Sequence, residues 1–341
     1  MRKTIVLLLS LLIFASCTNK KQVKPTIATK FNKELTIAFG SCNNQRIENT
    51  LFDDILKNNP KAWVWGGDII YSDTDNPTVL VKNYTKFKNN SNYKKFREKT
   101  TIIATWDDHD YGINDGGIEN PIKKEAQQAF LDFLDVPQDD ARRSQEGVYY
   151  TEIIKNGENS VKIIVLDTRY FRTKLKKDPS GKKRYLPTNE GTILGGKQWK
   201  WLEKELYKSK ADFNLIISSI QFLSNKHGFE SWGNMPLEVK KLTNLIVSSK
   251  AKNTIILSGD RHIAEVSSKS IGTDYPLIDF TSSGLTHAYT NFHGEENPYR
   301  VSEVVFEKNF GLIHFDFSNN SALFEIRGED NKLLEAVSQE Y

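Results

Sequence analysis

The chain has 341 residues, 38% hydrophobic and 26% charged, with a formal net charge of +4 at neutral pH. This length suits one large domain or two small ones, and the composition is that of a folded globular protein rather than a disordered or fibrous one. The charge is mild and forms no basic stripe, which argues against nucleic-acid binding as the main function.

The chain opens on MRKTIVLLLSLLIFASC. Arg2 and Lys3 precede an apolar run, and small residues precede Cys17, which is the order of a secretory signal. The run is too short and wrongly flanked for an ordinary membrane span. Its ending, FASC, resembles a bacterial lipobox. That implies a signal peptide over residues 1–16, lipid attachment to Cys17, and an exported, membrane-anchored bacterial lipoprotein. A plain signal peptide with a chance cysteine is the alternative. Residues 17–33 then read as the lipidated cysteine and a polar tether. Of the two cysteines in the chain, Cys42 is left without a disulfide partner. An unpaired thiol in an exported chain is a buried small hydrophobe, a nucleophile or a metal ligand.

From residue 34 a repeated pattern sets in, predicting one α/β domain over 34–341. Short apolar runs end in polar clusters with glycine: LTIAFGSCNN, AWVWGGDIIYSD, TTIIATWDDHDYGIND, VKIIVLDTRYFR, FNLIISSIQFLSN, NTIILSGDRHIAE and PLIDFTSSGLTH. Unbroken runs of this kind suit strands buried on both faces by helices. Between them, IENPIKKEAQQAFLDFL, GGKQWKWLEKELYKS and PLEVKKLTNLIVSS carry apolar residues at helical spacing, with Pro121 and Pro236 near two of the starts. The closing FGLIHFDFSNNSALFEIRGEDNKLL predicts two strands that complete the sheet. The tryptophans Trp63, Trp65, Trp199 and Trp201 fall in core patterns, whereas Trp106 and Trp232 have polar neighbours and stand closer to the proposed site.

Open α/β sheets place their sites at the C-terminal ends of strands. Four strand ends here carry Cys42; Asp68 and Tyr71; Asp107, Asp108, His109 and Asp110; and Asp260 and His262. Singly, an Asp after Gly is a turn residue. Together they are thiol, carboxylate, phenol and imidazole, the donors of metal sites. Carboxylates crowded without a cation would cost repulsion and desolvation. Thiolate and phenolate suit iron(III) or zinc, and the further carboxylates suit a harder ion such as Ca²⁺ or Mg²⁺. Two such metals are a recurring device for phosphate-ester hydrolysis.

In order along the chain, FGSCNN, GGDIIYSD, TWDDHDYGIND, VLDTRYFR, LGGKQWKWLEKEL, LSGDRHIAEV, SSGLT and NFGLIHFDF resemble the PhoD-type alkaline phosphatases and phosphodiesterases of the metallophosphatase (calcineurin-like) superfamily. The resemblance spans roughly residues 34–330. It implies central β-sheets flanked by helices in a single catalytic domain that hydrolyses phosphate mono- or diesters by a metal-bridged hydroxide. It also implies Fe³⁺ held by Cys42, Asp68, Tyr71 and His262, with Asp68 bridging to a second divalent metal, Ca²⁺, that Asp108 and Asp260 face. His109 then matches the general acid. Arg169, with a guanidinium suited to phosphate, is the candidate catalytic cation, against a salt bridge to Asp167 or another acid. Arg261 is a second candidate cation. Asn44 is a candidate substrate contact, and Gln221 is a candidate substrate contact, a weak metal ligand or plain structure.

The chain departs from the family in two places. Members often carry a β-rich domain ahead of the catalytic one, and here LTIAFGSC follows the tether directly. The wider superfamily also supplies a metal-binding His where LIISSIQFLSN offers only Gln221. His227 and His287 read as pocket wall or structure, and His293 and His314 have no assigned role. The expected partner is a small phosphate ester, nucleotides and phosphodiesters included, and a monomer is expected. The competing readings are a non-catalytic binding lipoprotein on the same fold and a metal-dependent hydrolase of another ester.

Overall fold

The computed structural model describes residues 31–341. The expected signal peptide and Cys17 lie outside the described residues. The end of the expected tether already belongs to the fold: the Asn32 amide donates to Asp316 Oδ2 at 3.0 Å, and Lys33 Nζ lies 2.9 Å from Glu325 Oε1. Among the described residues no helix is long and apolar enough to cross a membrane.

The elements run β1 (Leu35–Gly40), α1 (Phe52–Leu56), β2 (Ala62–Gly66), α2 (Pro77–Lys88), α3 (Ser91–Arg97), β3 (Thr101–Thr105), α4 (Asp108–Tyr111) and α5 (Lys123–Phe133). There follow β4 (Tyr150–Asn156), β5 (Asn159–Val165), β6 (Lys176–Lys177), β7 (Tyr185–Leu186), α6 (Gly195–Tyr207), β8 (Phe213–Ile217), α7 (Pro236–Ser249) and β9 (Thr254–Ser258). The last strands are β10 (Ala264–Lys269), β11 (Leu277–Ser282), β12 (Phe310–Asp316), β13 (Ser321–Arg327) and β14 (Leu333–Glu340).

Two mixed sheets pack face to face. One has the order β14-β13-β12-β1-β2-β3, with β1, β2 and β3 parallel; the other has the order β10-β11-β9-β8-β5-β4, with β11, β9, β8 and β5 parallel. Alternation explains the apolar runs. Ile37, Phe39, Val64, Ile163, Val165, Leu215, Ile255 and Leu257 fill the space between the sheets. Their neighbours point the other way, onto helices: Ala38, Trp63 and Trp65 onto the α1, α2, α3 and α5 side, and Ile164, Ile216 and Ile256 onto the α6 and α7 side. Both faces of each central strand are therefore dry, so every position favours an apolar side chain. On α6, Trp199, Leu202 and Leu206 share the buried stripe their spacing predicts. Trp106 and Trp232 are core residues, and their indole N–H groups donate to Asp167 and Ser218.

Residues 73–98 had no predicted helix, yet α2 and α3 fill most of that stretch. Asn76 caps α2 by accepting from the Thr78 amide, Pro77 occupies the first turn, and Leu80, Tyr84 and Phe87 are buried. The many lysines and asparagines of this segment masked a sparse but regular apolar spacing.

Asp279 on β11 ties three segments together. It accepts from the amides of Phe222 and Leu223 at 2.9 and 2.7 Å and from Ser258 Oγ at 2.7 Å. Burial pushes its carboxyl up to about 6 from 3.8. Since the folded value lies above the unfolded one, folding favours the protonated form, and this part of the stability is lost as pH rises from about 4 through 6. An Asn can keep the two amide bonds and turn a donor to Ser258 without the charge. Asp279→Asn is therefore expected to be at least as stable as wild type at pH 8, with the difference shrinking toward pH 5. Asp279→Ala should lose about 2–3 kcal/mol. Urea midpoints across this pH range check both; an Asn variant as destabilised as the Ala variant would refute the account.

Candidate active site

Both sheets turn the C-terminal ends of their parallel strands toward one rim. Cys42 follows β1, Asp68 follows β2, Asp107, Asp108 and His109 follow β3, and Asp260 and His262 follow β9. Cys42, Asp68, Asp260 and His262 all adopt left-handed backbone, with φ of 61°, 49°, 71° and 55°. Such conformations cost on the order of 1 kcal/mol each for non-glycine residues and persist only where the surroundings enforce them. The sheets approach so closely here that a Cβ on Gly259 would lie 2.5 Å from Ser41 Oγ and 2.9 Å from the Gly66 carbonyl.

The side chains converge. Cys42 Sγ lies 3.4 Å and the Tyr71 hydroxyl 3.5 Å from Asp68 Oδ2. Donor atoms of Asp68, Asp108 and His109 lie within 4.8 Å of one another; so do those of Asp107, Asp108 and Asp260, and those of Asp108, Asp115 and Glu230. Asp108 is common to all three groups. The His262 ring sits 6.4 Å from the Tyr71 ring and 4.5 Å from His287, and its buried Nδ1 has no hydrogen-bond partner. Asp108, His109, Asp260, His262 and His287 face a cleft of about 510 Å³.

The charges are under stress. Desolvation and the charge of Asp108 push the Asp68 carboxyl well above the usual range, and desolvation with Asp107 does the same to Asp260. Burial pushes Asp107 up to about 8, against the pull of Arg169, and Asp110 up to about 7. The Cys42 thiol and Tyr71 phenol are raised by burial and by the neighbouring acids. For Asp108, burial acts upward but is outweighed by Arg169, His109 and backbone N–H bonds, so its carboxyl is held low. Such a group of donors releases its protons readily only if cations share the site.

Surrounding bonds fix the donors in place. Tyr71 is clamped through its backbone by Gln45, whose side chain accepts from the Tyr71 amide at 2.7 Å and donates to its carbonyl at 3.0 Å. Asp110 accepts from the amides of Ile69 and Asp107, bracing the β2 and β3 ends against each other. His109 stacks on Tyr71 at 4.1 Å between ring centres, and its Nδ1 is 2.6 Å from Asp73 Oδ1. Burial acts to lower the His109 pKa but is outweighed by Asp73, Asp68 and Asp108, which raise it to about 11.

The family model of PhoD-like phosphatases matches residues 37–304. The chain belongs to the PhoD-like phosphatase family. Alkaline phosphatase D of Bacillus subtilis (strain 168) is 24% identical over 331 residues, covering 78% of this chain and 54% of that protein, so the chain spans about half the length of this relative. The fold is similar to a solved PhoD structure, with a TM-score of 0.70 at 18% identity over 88% of this chain and 68% of that one. It is also similar to a dimetal phosphatase from Danio rerio, with a TM-score of 0.57 at 12% identity over 91% and 100% of the two chains.

Two sequence expectations need correction in this PhoD-like site. Arg169 is not a free phosphate-binding cation. Its side chain is 0% exposed, with its guanidinium paired to Asp107 and, at 2.7 Å, to Glu230. Its backbone amide, not its guanidinium, meets Asp167. Gln221 is buried and donates to Glu265 and Thr281, which makes it structural rather than a substrate contact. The Asn44 side-chain oxygen accepts from the Arg46 amide at 3.1 Å. Arg261 does reach the cleft but pairs with Glu295 at 2.7 Å. His227 is held neutral by burial, and His314 lies on β12 bonded to Thr36, both outside the donor cluster.

Asp73, Asp115 and Glu230 were missed as site residues. Asp73 had a signal, since it lies two residues after Tyr71 in YSD. Asp115 and Glu230 come from irregular loops where no periodicity marks them. Because Arg169 compensates two buried acids, Arg169→Ala should lose about 3–5 kcal/mol of stability, with Arg169→Lys recovering only part. Unfolding midpoints test this; a stable, inactive Arg169→Ala would instead restore the substrate role.

Proposed function

We propose that the protein is an exported, lipid-anchored phosphoesterase hydrolysing phosphate mono- or diesters at a two-metal centre. The observation that carries this reading is the convergence of three acidic groups on Asp108 beside His109, on the floor of one open cleft. The donor set fits metals: crowded carboxylates, a thiol, a phenol and an imidazole nitrogen lacking any partner. Cys42, Tyr71, Asp68 and His262 would hold an ion that accepts soft and phenolic donors, for which we propose Fe³⁺. Asp68, Asp108 and Asp260, with Asp107 beside them, would hold a harder divalent ion, for which we propose Ca²⁺. When bound, such a pair supplies Lewis acidity and a nucleophile at neutral pH.

The chain's own residues do the rest. Asp73, Asp68 and Asp108 face His109 and favour its protonated form, and stacking on Tyr71 fixes its plane. Asp73 takes the Nδ1 edge, so Nε2 is the atom placed to hand a proton to a leaving oxygen. The clamp of Gln45 on Tyr71 and of Asp110 on Ile69 keeps these groups from relaxing. Arg2, Lys3, the apolar run and FASC support export and anchoring at Cys17.

The full chain, purified in detergent with its metal content measured, should hydrolyse p-nitrophenyl phosphate or bis-p-nitrophenyl phosphate. His109→Ala should lose about 10²–10⁴-fold in kcat while keeping its metals, and Cys42→Ala should lose iron together with activity. Wild-type rates in both variants would refute the site; a metal-loaded wild type inactive on both esters would refute the activity. Separately, Cys17→Ser should move the protein from the membrane to the soluble fraction in a bacterial host, and retention in the membrane would exclude the anchor.

A further inference from the structure

We infer that the hairpin of β6 and β7 is the substrate-binding arm of this site, and that Arg184 is the cation that contacts the phosphoryl oxygens. The inference rests on the phosphoesterase reading for the identity of the anion, and on separate observations for its place. Arg169 is enclosed by Asp107 and Glu230 and has no access to a ligand. The arginines that line the cleft are Arg184 and Arg261. Arg261 is nearly buried, paired with Glu295 and lying 4.2 Å over the Phe229 ring, so its charge is already committed. The Arg184 side chain is 47% exposed and meets Asp115 Oδ2 through one terminal nitrogen at 2.5 Å. A guanidinium has five N–H donors in a planar fork, so one carboxylate contact leaves donors for a phosphoryl group.

The position of Arg184 is built rather than incidental. The Asp115 amide donates to Asp108 Oδ2 at 2.6 Å, so the acid that engages Arg184 is bonded directly to the acid shared by all three groups. The Tyr185 hydroxyl donates to the same Asp115 oxygen at 2.6 Å. The amides of Arg184 and Tyr185 both donate to the Gly228 carbonyl, at 2.9 and 3.2 Å, fastening the hairpin to the loop that bears Phe229 and Glu230 on the cleft wall. Asp178 closes the turn by accepting from Ser180 and the Lys183 amide. Around this anchor the stretch KLKKDPSGKKR, residues 174–184, carries six basic residues and one acid, and all six basic side chains are exposed. A cationic edge beside an acidic floor has a use: it draws an anionic ester to a site whose carboxylates alone would repel it.

The test uses the full-length, metal-loaded protein. Arg184→Ala should lower kcat/KM for p-nitrophenyl phosphate on the order of 100-fold, with Arg184→Lys recovering part of it and metal content unchanged. By calorimetry, inorganic phosphate should bind Arg184→Ala about 10-fold or more weakly than wild type. The Lys182→Gln/Lys183→Gln double variant should raise KM at low ionic strength and flatten its rise with added salt. Lys57→Ala, just past the end of α1, should match wild type throughout. Arg184→Ala activity and phosphate affinity within about twofold of wild type would overturn the proposal. So would a loss of metal in step with the loss of activity, since Arg184 would then act only through Asp115 on Asp108. If wild type binds phosphate through Arg184 but hydrolyses neither ester, the arm stands and the phosphoesterase reading falls.

Discussion

The buried guanidinium of Arg169 is the charge on which the acidic rim depends. It reaches from the end of β5 to Asp107 at the end of β3 and to Glu230 in the loop ahead of α7, while Arg172 supports Glu230 from the other side at 2.9 Å. Ser219, at the end of β8, donates to the same Asp107 oxygen. Three strand ends and a loop are thus joined through one ion-paired cluster. A buried ion pair adds little net stability compared with an apolar filling, but removing one partner strands the others in low dielectric. Its use here is positional. It holds Asp107 and Glu230 in a defined orientation beside Asp108 and Asp260, so that more carboxylates crowd the rim than Arg169 alone can balance.

That crowding of acids is what makes the rim suited to cations. Every central strand is apolar on both faces, so the polar side chains of β1, β2, β3 and β9 collect where the strands stop. The left-handed turns at Cys42, Asp68, Asp260 and His262 then bend each chain so that its donor is directed into the rim rather than along the strand. The sandwich is stable enough to hold those four conformations, and the apolar core and the strained rim are two consequences of the same alternation.

Much of this was legible in the sequence, for definite reasons. The unbroken apolar runs and the amphipathic stripe of α6 follow from burial alone, and the ordered motifs pointed to the family to which the chain belongs. Cys42, Asp68, Tyr71, Asp108, Asp260 and His262 could be grouped because strand ends converge in any fold of this class. Which partner a side chain takes could not be read. Arg169 follows an apolar run and Arg184 a basic one, and both carry the same guanidinium, yet one is enclosed and the other exposed. That difference is set by Glu230 and Gly228, some 44–61 residues away. The α2 and α3 helices were hidden for a different reason, their buried residues being too few among lysines and asparagines.

The two arginines also show how the fold divides electrostatic labour. A cation that must neutralise acids permanently has to be dry, since solvent would screen it. A cation that must exchange one anion for another has to keep contact with water, and its partner must be weak enough to share it. Asp115 meets that second condition: its Oδ2 is already shared between Arg184 and the Tyr185 hydroxyl, while its amide is bound to Asp108. An incoming phosphoryl group at Arg184 would therefore compete with a divided carboxylate, not a dedicated one. The exposed lysines of the hairpin cannot replace that contact, because a flexible point charge does not select the geometry of a planar fork. They set how often an anion arrives, and Arg184 sets how it is held.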